Sequence, residues 1–593
     1  MVNLTINNKK ICAAEEMTIL EAAKQNNILI PHFCSMEGIH QIGSCRICVV
    51  EVEGEKTLQA SCKIRVKEGM VVYTNTEKVK KARKLLYELM LSDHPKDCLN
   101  CTRNQNCEFQ RLGEIIQVSE SRFEGEKSKP DRDDSSPSIV RDTAKCILCR
   151  RCVTVCNDVQ EIGVLNVQKR GFHSFVGPAA GLPLNSVNCT YCGQCINVCP
   201  VGALQEKDST QMVWNALYDR NKRVIVQTAP SVRVSLGEEF GYEPGTVVTG
   251  KMVTALRDIG FNDVFDTSFG ADLTVLEESH ELLKRIKNSF LAKQAALPMI
   301  TSCSPGWIKY FEHVFPERLE HLSTCKSPHM MLGALIKTYY ADKIKVNPKD
   351  IFVVSVMPCT AKKFEITRPE LKNNGFPNVD AVLTTRELAR MIKEAGIDFR
   401  NLEEGEFDTP LGISAGAGNL FGAAGGVAEA VLRTVYRTVT GRELQPGMVH
   451  IRSIKGQEHI KALEVKIENT VEEYRFIDGE TLKVAAASGM KGMKAFMEQL
   501  EDGTSPYHFI EVMGCPGGCI NGGGQPRPSN EYVRKKRMEA VHSIDRGKAL
   551  RGSHENPAIA KLYEEFLAEP LGKKSGELLH TKYTKRGIYN ELI

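Results

Sequence analysis

The distribution of cysteine constrains this chain more than any other feature. Of its 21 cysteines, sixteen lie before residue 200, and only Cys303, Cys325, Cys359, Cys515 and Cys519 lie beyond it. The start, MVNLTINNKKIC, has no apolar run able to serve as a signal peptide, and no later stretch reaches the length of a membrane span, so a cytoplasmic location is expected. A reducing cytosol makes disulfides a poor explanation for dense cysteine clusters and favours metal binding. The net charge of +4 over 593 residues argues for neither a nucleic-acid nor a membrane partner. A chain of this length holds several domains.

Two runs repeat one spacing, C-x2-C-x2-C-x3-C: Cys146, Cys149, Cys152 and Cys156, then Cys189, Cys192, Cys195 and Cys199 followed by Pro200. In two-cluster ferredoxins the fourth cysteine of each run ligates the other 4Fe–4S cluster. Cys146, Cys149, Cys152 and Cys199 are thus expected on one cluster, and Cys189, Cys192, Cys195 and Cys156 on the other; Asn157 replaces the proline after the first run. Further upstream, Val2, Leu4 and Ile6 alternate toward an Asn7-Asn8 turn, and Thr18 to Glu21 reads as a capping box opening a helix through Asn26. Cys34, Cys45, Cys48 and Cys62 follow, a set that suits a 2Fe–2S ferredoxin domain, with structural zinc as the alternative. Val79, Ala82, Leu85, Leu86, Leu89 and Met90 fall at helical spacing and lead into His94, Cys98, Cys101 and Cys107. One imidazole and three thiolates make a four-ligand set, for a His-ligated 4Fe–4S cluster or for zinc. Cys12 is left over as an ordinary buried thiol, and the polar stretch Ser119 to Ser138 reads as a linker or surface loop.

From about residue 222 the pattern changes. Apolar β-branched runs (KRVIVQTAP, DIFVVSVMPC) alternate with helical spacing at 251–259 and 272–288, predicting an α/β body with largely parallel sheets. Its cysteines stand in TSCSPGW (301–307), MPCTAKKFE (357–365) and EVMGCPGGCINGGGQP (511–526). Segments so far apart suit a buried site assembled from loops at strand ends. In ADLTVLEESHELLKR (271–285), Glu278, Glu281 and Arg285 share one helix face, which by itself reads as solvated surface. GAGNLFGAAGG (416–426) fits neither a dinucleotide fingerprint nor a P-loop, so close backbone packing is expected there. With no nucleotide or flavin fingerprint elsewhere, any nicotinamide cofactor must bind another subunit.

The three body segments resemble the signature segments of the iron-only (FeFe) hydrogenases, and the N-terminal modules match the long form of that family in the same order. RGSHENPAIAKLYEEFL (551–567) and the LLHTKYTKRG tail (578–587) resemble the family's small subunit fused in line. The resemblance implies a multidomain α+β and α/β chain: a 2Fe–2S β-grasp domain at 1–76, a His-ligated 4Fe–4S domain at 77–118, a two-cluster ferredoxin domain at 139–210, a hydrogenase body at 220–525 and a small-subunit-like region at 526–593. It implies reversible H2 oxidation and proton reduction at an H-cluster, a 4Fe–4S cube joined through one cysteine to a two-iron unit carrying CO, cyanide and an azadithiolate. One 2Fe–2S and three further 4Fe–4S clusters complete the cofactors. By position, Cys359, Cys515 and Cys519 are implied as cube ligands, with Cys519 the bridge. Lys362, Pro230 and Ser231 are implied as cyanide partners, and Met357, Met513 and Phe421 as pocket walls. Glu278 and Glu281, with Ser327 between them, are implied to carry protons to Cys303. The implied partners are ferredoxin, flavin- and NAD(P)-binding and small 2Fe–2S subunits, and maturation proteins, with electron bifurcation a trait of the multisubunit members that the tail resembles.

Three alternatives stand beside this reading: a stand-alone ferredoxin-dependent hydrogenase, an electron-transfer subunit like that of respiratory complex I, and a non-catalytic cluster-assembly protein. The complete set of N-terminal cysteine sites, Lys362 and the glutamates argue against the last. One departure is specific to this chain. The family commonly has two adjacent cysteines in the first segment, a proton relay and then a cube ligand, whereas here Cys303 is followed by Ser304. Ser304 could ligate through oxygen, Cys303 could ligate in its place, or Cys325 could take one thiol role; the expectation is that Cys303 ligates.

Overall fold

A computed structural model describes residues 1–128, 132–292, 296–445, 448–453 and 459–587. The chain divides into two compact units, Met1–Val187 with Val198–Gln205, and Asn188–Asn197 with Glu206–Ile593. The divide cuts the second cysteine run, placing Cys189, Cys192 and Cys195 in the second unit and Cys199 in the first.

In the first unit, Val2–Ile6 and Lys9–Ala13 pair as an antiparallel hairpin. Asn7 and Asn8 turn it at φ of 49° and 65°, a left-handed geometry that asparagine tolerates and that matches the twist of the flanking strands. Val71–Tyr73, Val49–Val52 and Gln59–Ala60 extend the sheet to five strands. Val2, Leu4 and Ile6 bury their alternate side chains with Ile19, Val50 and Val72. The Thr18–Glu21 capping box forms and opens the helix Ile19–Gln25. Cys12 corrects its expectation: it lies on the outer face of the hairpin and is exposed. The helix Glu77–Asp93 also differs in detail, because its buried positions are Val79, Arg83 and Tyr87 while Leu85 and Leu89 are exposed. The Arg83 guanidinium donates to the carbonyls of Ile47 (3.2 Å) and Val49 (2.8 Å), so a hydrogen-bonded cation takes an inward position that apolar spacing gave to leucine. The segment expected as a linker contributes a short strand, Arg132–Asp133, paired with Ile139–Asp142; residues 129–131 lie outside the described residues.

The second unit carries two sheets. Asp263–Asp266, Arg223–Thr228, Ile351–Met357 and Ala381–Thr384 form a wholly parallel sheet in that order. The other runs Met299–Ile300, Phe509–Met513, Thr481–Ser488, Ile460–Lys466 and His450–Ser453. Its first three strands are parallel and its last two antiparallel, so the parallel expectation holds for one sheet and half of the other. The 26-residue helix Thr267–Ala292 packs against Pro328–Leu335 and Gly426–Thr440. In the C-terminal region, Leu562, Leu567, Leu578 and Leu579 join the core of the parallel sheet. Among the described residues no helix is long and apolar enough to cross a membrane.

The tail is tied down by a buried charge. Glu312, with 0% exposure, accepts from Arg368 (2.6 and 3.0 Å), from Arg586 Nε (2.7 Å) and from the Thr584 N–H (3.0 Å). Removing one partner of a buried ion pair strands the other, which costs roughly 3–5 kcal/mol. Glu312→Gln is therefore expected to lower the thermal unfolding midpoint and open the chain beyond His580 to limited proteolysis. An unchanged midpoint and an uncut tail would contradict this anchoring.

Candidate active site

All the strands that feed the site are parallel, and all deliver their functional residues just past their C-terminal ends, where open α/β sheets bind ligands. Thr228 is followed by Pro230 and Ser231, Ile300 by Cys303 and Ser304, Met357 by Cys359, and Met513 by Cys515 and Cys519. These residues line one cavity, together with Lys362 and Phe421. The Cys515-Pro-Gly-Gly-Cys519 turn needs its glycines: Gly517 and Gly518 have φ of 85° and 95°, and a Cβ on Gly518 would sit 2.6 Å from the Ala424 nitrogen. Gly523 lets the backbone approach Cys192, whose carbonyl would be 2.4 Å from an added Cβ.

The thiols share one electrostatic condition. Burial pushes Cys303 and Cys515 well above the ordinary thiol value, raises Cys359, and pushes Cys519 up to about 12. Bare thiolates are thus unfavourable here, and a cation is needed to hold sulfur in its ligating form. A soft donor set in an apolar cavity, with the buried Ser231 hydroxyl unpartnered, fits an iron–sulfur cofactor that carries anionic ligands. Lys362 Nζ donates to the Cys303 carbonyl (3.0 Å) and to Glu365 Oε2 (2.7 Å), which leaves one ammonium proton for a bound group. Burial would raise Glu365, but Lys362 and His329 hold it down at about 2. Ser304 also lines the cavity, its Oγ 2.8 Å from where a Cβ on Gly514 would stand, next to Cys515. After burial, the Glu278 charge is the main influence on the Cys303 thiol.

Glu278, Glu281 and Arg285 share one helix face as the spacing predicts, but that face is inside the protein. Both Glu278 carboxylate oxygens lack hydrogen-bond partners, and burial pushes the group up to about 8, opposed by the Ser323 hydroxyl and reinforced by Glu281. Ser323 Oγ also stands 3.4 Å from Glu281 Oε2. Ser323 thus meets Glu281 directly and lies close enough to Glu278 to influence its charge. Ser327 stands at the N-cap of Pro328–Leu335, where its buried hydroxyl has no hydrogen-bond partner. Cys325 is fully buried in the core of the parallel sheet and does not line the cavity. Sequence reasoning missed Thr267 and His329, which do line it. It also missed Glu511, pushed up to about 7 by burial against the N–H groups of Ala428 and Gly425; the acidic residue opening EVMGC was its only signal.

The first unit holds further sulfur sites. Cys34, Cys45, Cys48 and Cys62 are all buried, with Cys45 N 3.4 Å from Cys34 Sγ and Cys48 Sγ 3.4 Å from Cys62 Sγ. His94, Cys98, Cys101 and Cys107 line one cavity. Burial and the Lys145 charge push His94 down to about 4 and its Nδ1 is unpartnered, so it is a neutral imidazole fit to ligate a metal. Cys199 is an electrostatic neighbour of both Cys146 and Cys149, which brings the last cysteine of the second run to the first run. Cys152 and Cys156 follow within the same segment of the first unit.

A sulfur-lined cavity at parallel strand ends, with separate cysteine sites upstream, defines an iron–sulfur oxidoreductase. Residues 222–523 match the model of the C-terminal domain of the iron only hydrogenase large subunit, and 530–586 that of the iron hydrogenase small subunit. Residues 1–77 match a 2Fe-2S iron-sulfur cluster binding domain, 83–122 the NADH-ubiquinone oxidoreductase-G iron-sulfur binding region, and 136–205 the ferredoxin-like domain of NADH-quinone oxidoreductase subunit 3. The chain is 48% identical to the NADP-reducing hydrogenase subunit HndD of Solidesulfovibrio fructosivorans, over 99% of each chain. It is 39% identical to iron hydrogenase 1 of Clostridium pasteurianum, over 99% of this chain and 100% of that one. The solved apo FeFe-hydrogenase HydA1 from Chlamydomonas reinhardtii, in a variant form, matches with a TM-score of 0.58 at 40% identity, covering 64% of this chain and 99% of that one. The chain belongs to the iron-only hydrogenase family. It is a hydrogenase with an H-cluster domain and N-terminal 2Fe–2S and 4Fe–4S domains that relay electrons.

Glu278 gives this site a pH signature. Its carboxyl ionises at about 8 in the folded protein, against 4.5 for an unperturbed group. The folded state therefore holds an extra proton between those values, and stability falls as pH rises through that window. Glu278→Gln removes the titration, so its unfolding midpoint should gain on that of the wild type between about pH 5 and pH 8. A constant difference across that range would contradict the assignment.

Proposed function

We propose that this chain interconverts H2 with two protons and two electrons as the catalytic subunit of an NAD(P)-linked complex. The observation that carries this is the convergence of Cys303, Cys359, Cys515 and Cys519, from three distant segments, on one buried cavity. Cys359, Cys515 and Cys519 would hold the cube of the H-cluster, with Cys519 bridging to the two-iron unit. Ser304, beside Gly514, would take the fourth position and Cys303 would be the proton relay, a division other than the expected one that is supported by the closeness of Ser304 to Gly514 and the influence of Glu278 on Cys303. When bound, the H-cluster supplies an open iron site and a pendant base for heterolytic cleavage of H2.

The protein's own part is to exclude water, orient the cofactor and move protons. Met357, Phe421 and Met513 wall the cavity with apolar surface. Lys362 and the Ser231 hydroxyl, with the backbone at Pro230, offer donors to anionic ligands, worth more in a buried site than in water. A proton held by Cys303 would pass to Glu278, which burial pushes up to about 8, and on to Glu281 once the Ser323 hydroxyl, 3.4 Å from Glu281 Oε2, turns to Glu278. Arg285 Nη2 fixes Glu281 Oε1 at 2.6 Å.

The His94 and Cys34–Cys62 sites and the two crossed cysteine runs would hold three 4Fe–4S clusters and one 2Fe–2S cluster, within domains at 1–76, 77–118 and 139–210. The body would span 220–525, with a small-subunit-like region at 526–593, of which 588–593 lie outside the described residues. End-to-end similarity to a subunit of an NADP-reducing hydrogenase supports flavin- and NAD(P)-binding and small 2Fe–2S partner subunits, with ferredoxin as a second electron partner in a bifurcating complex. Maturation proteins would install the two-iron unit. A cytoplasmic location is part of the proposal.

Matured protein should oxidise H2 with an artificial dye and evolve it from a reductant, and no turnover from protein with a complete two-iron unit would sink the proposal. Cys303→Ala is expected to keep its iron content while turnover falls at least about 100-fold. Loss of cube iron in that variant would instead make Cys303 the ligand.

A further inference from the structure

Glu281, Cys325 and His580 come together from three parts of the second unit. Cys325 and His580 are partners in an isolated antiparallel bridge. It is clamped on either side by Lys326 N to Leu579 O (2.8 Å) and Thr581 N to Thr324 O (2.8 Å). Residues directly opposite in such a bridge project to the same side, and there the helix Thr267–Ala292 presents Glu281. Cys325 Sγ lies 4.0 Å from Glu281 Oε2, and one donor atom from each of the three residues lies within 4.8 Å of the others.

The surroundings prepare these side chains to ligate. His580 Nε2 stands 3.1 Å from Glu277 Oε2. Glu277 is itself fixed by the Tyr563 hydroxyl (2.6 Å) and the Leu571 N–H (2.9 Å). A carboxylate on one imidazole nitrogen fixes the tautomer and makes the other nitrogen the more basic ligand, as second partners of metal-bound histidines do. That other nitrogen, Nδ1, points into the cluster, 2.7 Å from Thr324 Oγ1, which is 3.0 Å from Glu281 Oε2. Arg285 holds Glu281 Oε1, while Oε2 faces the site and accepts there from the Thr324 N–H (3.1 Å), the Thr324 hydroxyl (3.0 Å) and the Ser323 hydroxyl (3.4 Å).

We propose that Glu281, Cys325 and His580 form a binding site for a borderline-soft divalent cation of the Zn2+ class, and that metal bound there inhibits turnover by occupying a proton-relaying carboxylate. One sulfur, one nitrogen and one oxygen donor with a fourth position for water is a zinc-type set, and the thiolate and imidazole disfavour Mg2+ and Ca2+. Binding converts the Cys325 thiol to a thiolate and releases its proton to solvent, with no change in oxidation state. The Thr324 hydroxyl turns away from Nδ1. The inhibitory half rests on the proton route proposed above; the metal site does not.

The test uses the full-length, matured protein under anoxic conditions, with zinc added alone. Equilibrium dialysis should find one zinc per chain, and its K-edge absorption should report one sulfur at about 2.3 Å and nitrogen or oxygen at about 2.0–2.2 Å. Dye-linked H2 uptake should fall as the site fills, while Mg2+ at the same concentration has no effect. Cys325→Ser and His580→Gln should each raise the zinc concentration for half-inhibition at least about 100-fold, and Glu277→Gln about 10–100-fold. A zinc shell without sulfur, or unaltered binding in both Cys325→Ser and His580→Gln, overturns the site. Zinc bound with the expected shell but without effect on turnover upholds the site and overturns the place of Glu281 in the proton route.

Discussion

Four thiols converge on one apolar cavity that disfavours their ionised form, and the rest of the second unit is arranged around that constraint. Burial drives every one of them toward the protonated form. Only a bound cation reverses this, so the cavity is complete only with its metal cofactor. The segments that bring the cysteines together are loops, but each leaves the end of a parallel strand: those before Cys359 and Cys515 are paired on both sides, and Met299–Ile300, before Cys303, is an edge strand held by Phe509–Met513. Rigid strands therefore set the sulfur positions, and the glycines of the third segment let the backbone close around them.

The same unit buries three carboxylates near that cavity and gives each a different environment. Glu365 is paired with Lys362 and His329 and stays ionised. Glu511 is held by backbone N–H groups of Ala428 and Gly425, which only partly offset its burial. Glu278 has no hydrogen bond to either oxygen and is pushed highest. Environments that separate the pKa values of like groups also separate their roles. Glu365 fixes a cation, whereas Glu278 can gain or lose a proton near neutrality.

How much of this was legible in the sequence followed the range of the interaction. The Asn7-Asn8 turn, the Thr18–Glu21 box and the cysteine runs are local patterns, and each appears where spacing put it. The shared face of Glu278 and Glu281 was readable from helical geometry, but its burial was not, because that depends on the strand-end loops and tail packed against it. The STCKSP segment offers serines at 323 and 327, and only its path after Leu322 shows that Ser323 faces the glutamates. Arg83 was unreadable for a related reason: its carbonyl partners lie some 34 residues back in the chain. His329 and Thr267 reach the cavity from helix starts that carry no motif, and the antiparallel half of the second sheet joins strands consecutive in the chain, outside the apolar runs that read as parallel.

In the proposed site, Cys519 would join the cavity to the two-iron part of the cofactor. Infrared spectroscopy of matured protein tests it directly, since carbonyl and cyanide stretches fall where protein is transparent. The wild type should show both sets of bands. Cys519→Ala should lose them while the electron paramagnetic signals of the N-terminal clusters persist. Carbonyl and cyanide bands of undiminished intensity in Cys519→Ala would contradict the account.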